Sequence, residues 1–115
     1  MGAKIQRGNM FSSIPPLFEN EIEETLFEGE GLRIQRVLSC GQSSPGGFWY
    51  DQDEDEYVIL LSGEAILYFR DEGEITMGSG DWIFIPAHKE HRIIYTSREP
   101  KCVWFAIHGD LEPCI

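Results

Sequence analysis

Basic residues are scarce in this sequence. It has 9 Lys and Arg against 20 Asp and Glu in 115 residues, which gives a net charge of −11 with histidine neutral. A chain this acidic repels phosphate backbones and anionic membrane surfaces. Nucleic acids and lipid headgroups are therefore not expected as partners, and we interpret the acidity itself as a solubility feature.

Cysteines and long apolar runs are also few. Cys40, Cys102 and Cys114 are odd in number and far apart, and they form no C-x-x-C pair. This argues against a disulfide framework and against a cysteine zinc site. No run approaches the ~18 apolar residues of a membrane helix, and residues 1–16 lack the apolar centre of a signal peptide. We expect a cytoplasmic protein with reduced thiols and no membrane partner.

What the sequence does contain is a succession of short strands. Eight or nine apolar or alternating segments recur with turn residues between them, at intervals of roughly 8 to 12 residues, which is typical of an all-β sandwich or barrel. Residues 1–16 end in two prolines and predict an extended arm. Residues 17–115 predict one domain. Within it, residues 17–28 fit either a helical face or an edge strand.

Some strands are predicted in more detail. Residues 32–38 alternate in polarity and predict a half-buried strand. Residues 48–50 are expected to begin the next strand. Residues 57–61 are apolar at every position, which suits a strand covered on both faces. Ser62-Gly63 predicts a tight hairpin to the strand that follows.

Two stretches carry the residues with chemical potential. In the first, Glu56 is followed after six residues by Gly63; in the second, Gly80 is followed after five residues by Pro86, and His91 comes shortly after. These intervals resemble the two sequence motifs of the cupin superfamily, and the resemblance spans residues 32–108. It implies a small, single-domain, cupin-2-like protein with a jelly-roll β-barrel and a motif core at residues 48–95.

The resemblance also implies a metal site. Cupins usually hold a divalent metal with a His-x-His pair and a Glu from the first motif and a His from the second. In this chain the His-x-His positions fall on Tyr50 and Gln52, or on Trp49 and Asp51, so the first motif lacks the pair. The implied ligands are Gln52, Glu56 and His91 around one divalent ion such as Zn, Fe, Mn or Ni. The set is oxygen-rich and weak for a transition metal.

Two interpretations of Glu56 and His91 stay open. With water and a third ligand, which Gln52, Asp51 or Asp53 could provide, they hold a metal inside the barrel. Alternatively they form a hydrogen-bonded or ion-paired couple where a metal site has been lost, because burial forces such groups to pair. Strand alternation places Glu56, Val58 and Leu60 on one face, and His91 and Tyr95 on the corresponding face of their own strand.

Other residues are candidates for contacts with a ligand. Trp49 and Tyr50 stand beside the expected pocket and could stack on a ring. Whichever of Arg33 and Arg36 faces inward could bind a carboxylate; Arg36 is taken as the candidate. His88 and Lys89 lie in the predicted loop between Pro86 and His91. They are either solvated or form a cationic rim that attracts an anionic ligand. His108 is expected to be structural or exposed.

Three functions follow as hypotheses. The first is a cupin that binds a metal, a small molecule or both in its barrel. The second is a metal-dependent enzyme of dioxygenase or isomerase type with Glu56 or His91 as base. The third is a homodimer without a site that serves as an interaction module. Dimerisation by sheet edges, with exchange of the arm, is implied by the resemblance and by the need to protect edge strands.

Overall fold

The computed structural model describes residues 2–114, and these form eight β-strands and no α-helix. None of the described residues belongs to a helix long and apolar enough to cross a membrane. The strands are β1 (Ile22–Gly29), β2 (Leu32–Ser39), β3 (Asp55–Ser62), β4 (Ala65–Phe69), β5 (Gly73–Met77), β6 (Trp82–Ile85), β7 (His91–Thr96) and β8 (Cys102–Gly109). The predicted all-β class is confirmed, and the chain folds as a cupin-type jelly roll.

The strands form two antiparallel sheets. Five strands lie in the order β1-β2-β8-β3-β6, and three lie in the order β5-β4-β7. The core lies between them and includes Val58 and Leu60 of β3, Leu67 and Phe69 of β4, and Trp104 of β8. Leu60 is fully buried at 0% exposure. Because successive residues of a strand point to opposite faces, alternate positions of β3, β4 and β8 build this core.

The tight turn at Ser62-Gly63 is present between β3 and β4, but the predicted hairpin is wrong, because the two strands lie in different sheets and do not pair. Gly63 has a φ of +95°, a conformation that side chains rarely adopt. A Cβ at this position would lie 2.9 Å from the Cα of Cys102. The turn therefore needs glycine for both its backbone conformation and its close approach to β8.

Several details differ from the sequence-based expectations. Of the two readings of residues 17–28, the strand is found: β1 starts at Ile22 and lies at the edge of the large sheet. Residues 48–50 do not begin a strand, and only Tyr50 forms a single β-bridge, with His91. The segment before β3 is bound mainly through loop contacts rather than through a sheet ladder.

β3 differs from the prediction that both of its faces are covered. Val58 is buried while Tyr57 and Ile59 are half-buried, so only one face of β3 is fully covered.

A bulge shifts the β4–β7 register between Ile66 and Leu67. Tyr95 consequently turns outward and is 46% exposed, whereas the prediction placed it inward with His91. A bulge adds one residue to one strand, and this reverses the facing of every residue beyond it.

Candidate functional site

A cavity of about 90 Å³ lies between the two sheets at one end of the core. It is partly open to solvent, and its lining combines polar with apolar side chains. The residues that line it are Glu21, Glu23, Gln35, Val37, Tyr50, Gln52, Glu56, Val58, Leu67, Ile85, His91, Ile93, Trp104, Ala106 and His108. The sequence candidates Tyr50, Gln52, Glu56 and His91 are thus brought together.

The register of β3 and β8 places the polar and apolar parts of the lining. Glu56 is opposite His108, Val58 is opposite Ala106, and further along Leu60 is opposite Trp104. Residues directly opposite one another share a face of the sheet. The cavity therefore has a carboxyl and an imidazole at one end and grades into the hydrophobic core at the other.

Glu56 is the most perturbed carboxyl of the site. The pKa of Glu56 is raised to about 7, first by burial and then by the negative charge of Glu23, while the positive charge of Arg33 opposes the rise. A carboxyl in apolar surroundings favours its neutral form because water no longer solvates the charge. At neutral pH Glu56 therefore exchanges a proton readily, which suits either a hydrogen-bonding or an acid–base role.

His108 lies beside Glu56 in the cavity. From the sequence we expected His108 to be structural or exposed. Its Nε2 atom lies 3.8 Å from Oε2 of Glu56, a distance too long for a hydrogen bond. Burial lowers the pKa of His108, and the charge of Arg33 lowers it further. Proximity suggests an ion pair, but both pKa directions favour uncharged forms. We therefore describe Glu56 and His108 as neighbouring groups and not as a salt bridge.

His91 is held in one orientation and one tautomer. Its Nδ1 atom lies 2.8 Å from the carbonyl oxygen of Lys89, and because a carbonyl only accepts, Nδ1 carries the hydrogen. The ring is stacked between Tyr50 and Phe69, with centroid distances of 5.3 and 5.4 Å. Burial lowers the pKa of His91. Neutral His91 therefore keeps a free lone pair on Nε2.

Glu21 and Glu23 reach the cavity from the region just before and within β1. Glu21 accepts a hydrogen bond from the Ser39 hydroxyl at 2.9 Å, and Ser39 in turn accepts from Nε1 of Trp104 at 3.1 Å. Glu23 accepts from Nε2 of Gln35 at 3.1 Å. Burial raises the pKa of Glu21, although the Ser39 hydrogen bond partly offsets this. These carboxylates could not be predicted as cavity residues, because residues 17–28 fitted two structures.

The other expected ligand contacts lie away from the cavity. Trp49 packs against Tyr68 with centroids 5.7 Å apart, and the Arg70 guanidinium lies 4.0 Å from its ring centre. Arg36 is buried on the opposite face of β2, where it pairs with Glu24. Neither Trp49 nor Arg36 lines the cavity. The expectation that an arginine faces inward fails for Arg36 because Gln35 and Val37 occupy the inward positions.

Arg36 instead fastens the N-terminal arm. Its Nη1 atom donates to the carbonyl oxygens of Met10 and Ser12 at 3.0 and 2.7 Å. Arg33 lies opposite His108 on the inward face of β2, and its guanidinium pairs with Glu54 at 3.1 Å. Both arginines are therefore committed to partners within the chain.

The loop residues proposed as a cationic rim are likewise paired. His88 has a φ of +63° and contacts Asp51 through Nδ1 at 2.7 Å. This contact raises the pKa of His88. Lys89 pairs with Glu72 at 2.8 Å. Carboxylates surround both residues, so their charges are largely neutralised by the protein itself.

Asp55 has a structural task that the sequence did not indicate. Its two carboxylate oxygens accept hydrogen bonds from the backbone N–H groups of Ala87 and Leu111, at 2.8 and 3.0 Å. These bonds lower the pKa of Asp55. Asp55 thereby ties the start of β3 to two other segments, and it is more than part of a solvated acidic loop.

The donor set fits a divalent metal poorly. Across residues 2–114, no group of three or more His, Cys, Asp and Glu side chains is arranged to hold a metal ion. Of the implied ligands, Glu56 and His91 are strong donors, but Gln52 offers only an amide. Structural and catalytic sites for such ions normally use three or four protein donors at about 2.0–2.3 Å. The expected site is therefore incomplete as built from these residues.

Comparisons with known proteins agree on the fold. A crystal structure of a protein from Ralstonia eutropha JMP134, described as a "putative mannose-6-phosphate isomerase", is 41% identical, with a TM-score of 0.88 over 92% of this chain and 99% of that one. A cupin superfamily protein from Desulfitobacterium hafniense DCB-2 is 21% identical, with a TM-score of 0.73 over 94% of each chain. No match was found among proteins of curated function.

The sequence match covers the same region as the two motifs. A cupin-2-domain protein from Shewanella frigidimarina is 25% identical, with a TM-score of 0.61 over 76% of this chain and 79% of that one. The cupin domain model matches residues 38–108, which is more than half of the chain and includes β3 to β8. The resemblance inferred from Glu56, Gly63, Gly80, Pro86 and His91 is confirmed, and the chain belongs to the cupin family.

Proposed function

We propose that the protein binds a small polar molecule in the cavity between its two sheets. The observation that carries the proposal is the concentration of buried polar groups there: Glu56, His91 and His108 are largely buried and all line the cavity. Small-molecule sites are concave and mostly apolar, with a few convergent polar groups and perturbed pKa values. Burying such groups costs free energy, and a bound ligand would offset that cost.

Fragment binding measured by NMR on the full chain tests this proposal. Fragments that bind in the cavity are expected to shift the backbone resonances of Gln52, Glu56 and His91. Gln52→Trp is expected to block the space and abolish saturable shifts. Asp51→Trp is the matched control, because Asp51 is the neighbouring residue and contacts His88 outside the cavity. Equal binding by both variants would place the fragments elsewhere and contradict the proposal.

A second candidate is an isomerase-type proton transfer. Two observations favour it: Glu56 and His108 adjoin in the cavity, and the 41% identical relative is described as a putative sugar-phosphate isomerase. In this reaction the Glu56 carboxylate would take a proton from the carbon beside a carbonyl, and the proton would return to the neighbouring carbon. His108 would hydrogen-bond the carbonyl oxygen and pass to it the proton of the adjacent hydroxyl, so that the carbonyl moves to the carbon that lost its proton. A base with a pKa near neutrality suits such a transfer.

Solvent deuterium exchange tests the isomerase candidate directly. Mannose and mannose 6-phosphate are incubated with the protein in D₂O, and loss of the C2 proton signal is followed by NMR. Exchange that disappears in Glu56→Gln, with the fold intact by circular dichroism, is the expected result. An unchanged rate in Glu56→Gln would remove Glu56 as the base. A dioxygenase reaction is less well supported, because residues 2–114 assemble no group of three strong metal ligands.

A divalent metal is a separate, finer possibility that the small-molecule proposal does not require. Glu56 and His91 would be its two strong ligands, with Gln52 as a third and weaker one. The hydrogen-bonding and proton-transfer roles proposed above are performed by the side chains directly and do not need the metal.

We also propose a homodimer. Its support is the exposure of apolar side chains on the two edge strands of the large sheet, Leu26 and Phe27 on β1 and Trp82 on β6, which are 40%, 54% and 61% exposed. Exposed edges pair readily with other strands unless they are protected. Light scattering after size exclusion is expected to give twice the 13.2 kDa chain mass. A monomer at micromolar concentration would contradict this.

Cytoplasmic residence is proposed on the basis of the thiols. Cys40 and Cys102 are buried and free, and Cys114 is exposed and free. Exposed free thiols persist where the compartment keeps them reduced. Localisation of a tagged full-length protein by fractionation would test this.

A further inference from the structure

The charged side chains that line the cavity are of one sign. Glu21, Glu23 and Glu56 contribute three carboxyls, and no Lys or Arg is found among the described lining residues. The nearest guanidinium, that of Arg33, is directed to Glu54. The cations of the loop above, His88 and Lys89, are paired with carboxylates outside the cavity. A phosphate or carboxylate ligand would meet repulsion in this space without a compensating cation.

A second observation points to a missing partner. His108 is 5% exposed, and its Nδ1 atom has no hydrogen-bond partner among the described residues. Its Nε2 atom is 3.8 Å from Glu56, beyond hydrogen-bond distance. Buried polar atoms in folded proteins are nearly always paired with protein, water or ligand. The histidine thus has unused hydrogen-bonding capacity inside the carboxyl-lined space.

Several acceptors in the lining have unused lone pairs. The lone pair of His91 Nε2 is free, because Nδ1 donates to Lys89. Glu21 and Glu23 each accept one hydrogen bond from the protein and have further lone pairs. The Gln35 amide is used by Glu23 and Thr25. A ligand that carries hydrogen-bond donors is complementary to these acceptors.

The spacing of the acceptors favours a molecule over a metal ion. The carboxyls and imidazoles surround the cavity but do not converge as a group of three on one point. A bare ion needs donors at about 2.0–2.3 Å from one centre. A cation of several atoms can reach donors placed further apart. The aromatic side chains of Tyr50 and Trp104 also line the space, and aromatic rings attract organic cations.

We propose that the cavity binds a small organic cation rich in N–H donors, of the amine or guanidine class, through Glu21, Glu23 and Glu56. This rests on the proposed small-molecule binding and narrows its ligand class. The carboxylates neutralise the positive charge, the free nitrogens of His91 and His108 contact the ligand, and the aromatic rings cover its apolar part.

Calorimetric titration of the full chain with charge-varied probes tests the assignment. The probes are ethanolamine, 1,3-diaminopropane and methylguanidine as cations, glycerol as a neutral molecule, and inorganic phosphate and mannose 6-phosphate as anions. MnCl₂ serves as the bare ion. At least one organic cation is expected to bind saturably, at least tenfold more tightly than glycerol, the anions or the metal.

Two variants separate the cavity from general attraction to an acidic protein. Glu23→Gln is expected to weaken cation binding at least tenfold. Glu28→Gln removes the same charge from the same strand at a position that does not line the cavity and is expected to leave binding within twofold. If both variants weaken binding equally, the attraction is non-specific and the assignment is overturned.

The remaining outcomes distinguish this inference from the broader proposal. Saturable binding of glycerol or an anion that Gln52→Trp abolishes, with no cation binding, would overturn the cation assignment and leave small-molecule binding standing. Tighter binding of Mn²⁺ than of any amine would overturn it in favour of a metal site. No saturable binding by any probe would overturn both.

Discussion

The Nε2 atom of His108 lies 3.8 Å from Oε2 of Glu56, across a register pair between β8 and β3. This relationship puts a carboxyl and an imidazole side by side inside the barrel without an ion pair between them. Burial raises the pKa of one and lowers the pKa of the other. Two groups held in this way can accept and release protons with little free-energy cost, and several of the predictions below depend on them.

The first prediction concerns pH and Glu56. The folded protein binds the Glu56 proton more tightly than the unfolded chain, since the pKa is about 7 when folded and 4.5 in the reference state. The resulting stability is complete below about pH 4.5 and is lost as the pH rises through 7. Glu56→Gln should therefore gain in free energy of unfolding relative to wild type between pH 5 and pH 8, by at most roughly 3 kcal/mol.

Urea denaturation at both pH values measures this difference. Glu28→Gln, on exposed β1, is the control and should show the same pH dependence as wild type. His91 and His108, whose pKa values are lowered, act in the opposite direction: they favour the folded state more as the pH rises towards 6.5. The comparison with Glu56→Gln cancels their contribution to first order. A difference that does not change with pH would mean that Glu56 is solvated.

The second prediction concerns the unpaired nitrogen of His108. Because Nδ1 of His108 is buried without a partner, replacing the ring with an apolar one of similar shape removes a desolvation cost. His108→Phe is expected to be as stable as wild type or about 1 kcal/mol more stable. Trp104→Phe loses the hydrogen bond to Ser39 and should be less stable. A loss of more than about 2 kcal/mol in His108→Phe would show that its nitrogens are satisfied.

The third prediction tests whether Arg36 holds the N-terminal arm in place or contacts a ligand. Arg36→Met should release the turn at residues 10–13, because the carbonyls of Met10 and Ser12 lose their donor. Faster amide hydrogen exchange is expected there, with a destabilisation of about 1–2 kcal/mol. Fragment binding in the cavity should be unchanged. Weaker binding in Arg36→Met at constant stability would instead support the original expectation of a ligand contact.

The fourth prediction tests the core. Leu60 is fully buried between the sheets, so Leu60→Ala should lower the free energy of unfolding by about 2–5 kcal/mol. Leu17→Ala is the matched control, since Leu17 is 78% exposed, and it should change stability by no more than about 0.5 kcal/mol. Comparable losses in the two variants would contradict the described packing.

The fifth prediction concerns metal removal. Because the cavity residues assemble no group of three strong donors among those described, treatment with a chelator should leave the melting temperature of the purified protein unchanged. Elemental analysis before and after treatment is the measurement. Stoichiometric Zn, Fe, Mn or Ni that is lost in His91→Ala, but retained in the surface variant His88→Ala, would contradict this and restore the metal site.

Part of the site could be predicted from the sequence. The intervals around Glu56 and His91 are local, and they identified both residues and the fold. His108 could not be found in this way, because its position opposite Glu56 depends on how two strands far apart in the chain align. An alternating pattern sets which residues share a face, but it does not set the register between distant strands.

Other features of the structure were also not predicted from the sequence. The bulge in β4–β7 reverses Tyr95, and a single inserted residue leaves no trace in an apolar strand such as residues 91–96. The inward face of β2 is polar at Gln35, so polarity alone did not distinguish it from the face that carries Arg36. The carboxylates Glu21 and Glu23 lay in a segment that fitted both a helix and a strand. Their convergence on the cavity is a tertiary property.

The segment that contains Tyr50, which bridges to His91, affects how the cavity can change during evolution. The segment from residue 41 to residue 54 supplies Tyr50 and Gln52 to the cavity but belongs to neither sheet. Asp55 anchors the start of β3 independently, through backbone groups of other segments. Mutations in this segment can therefore alter the chemistry of the cavity while the barrel keeps its stability. Ligand preference can diverge there between relatives that share the same scaffold.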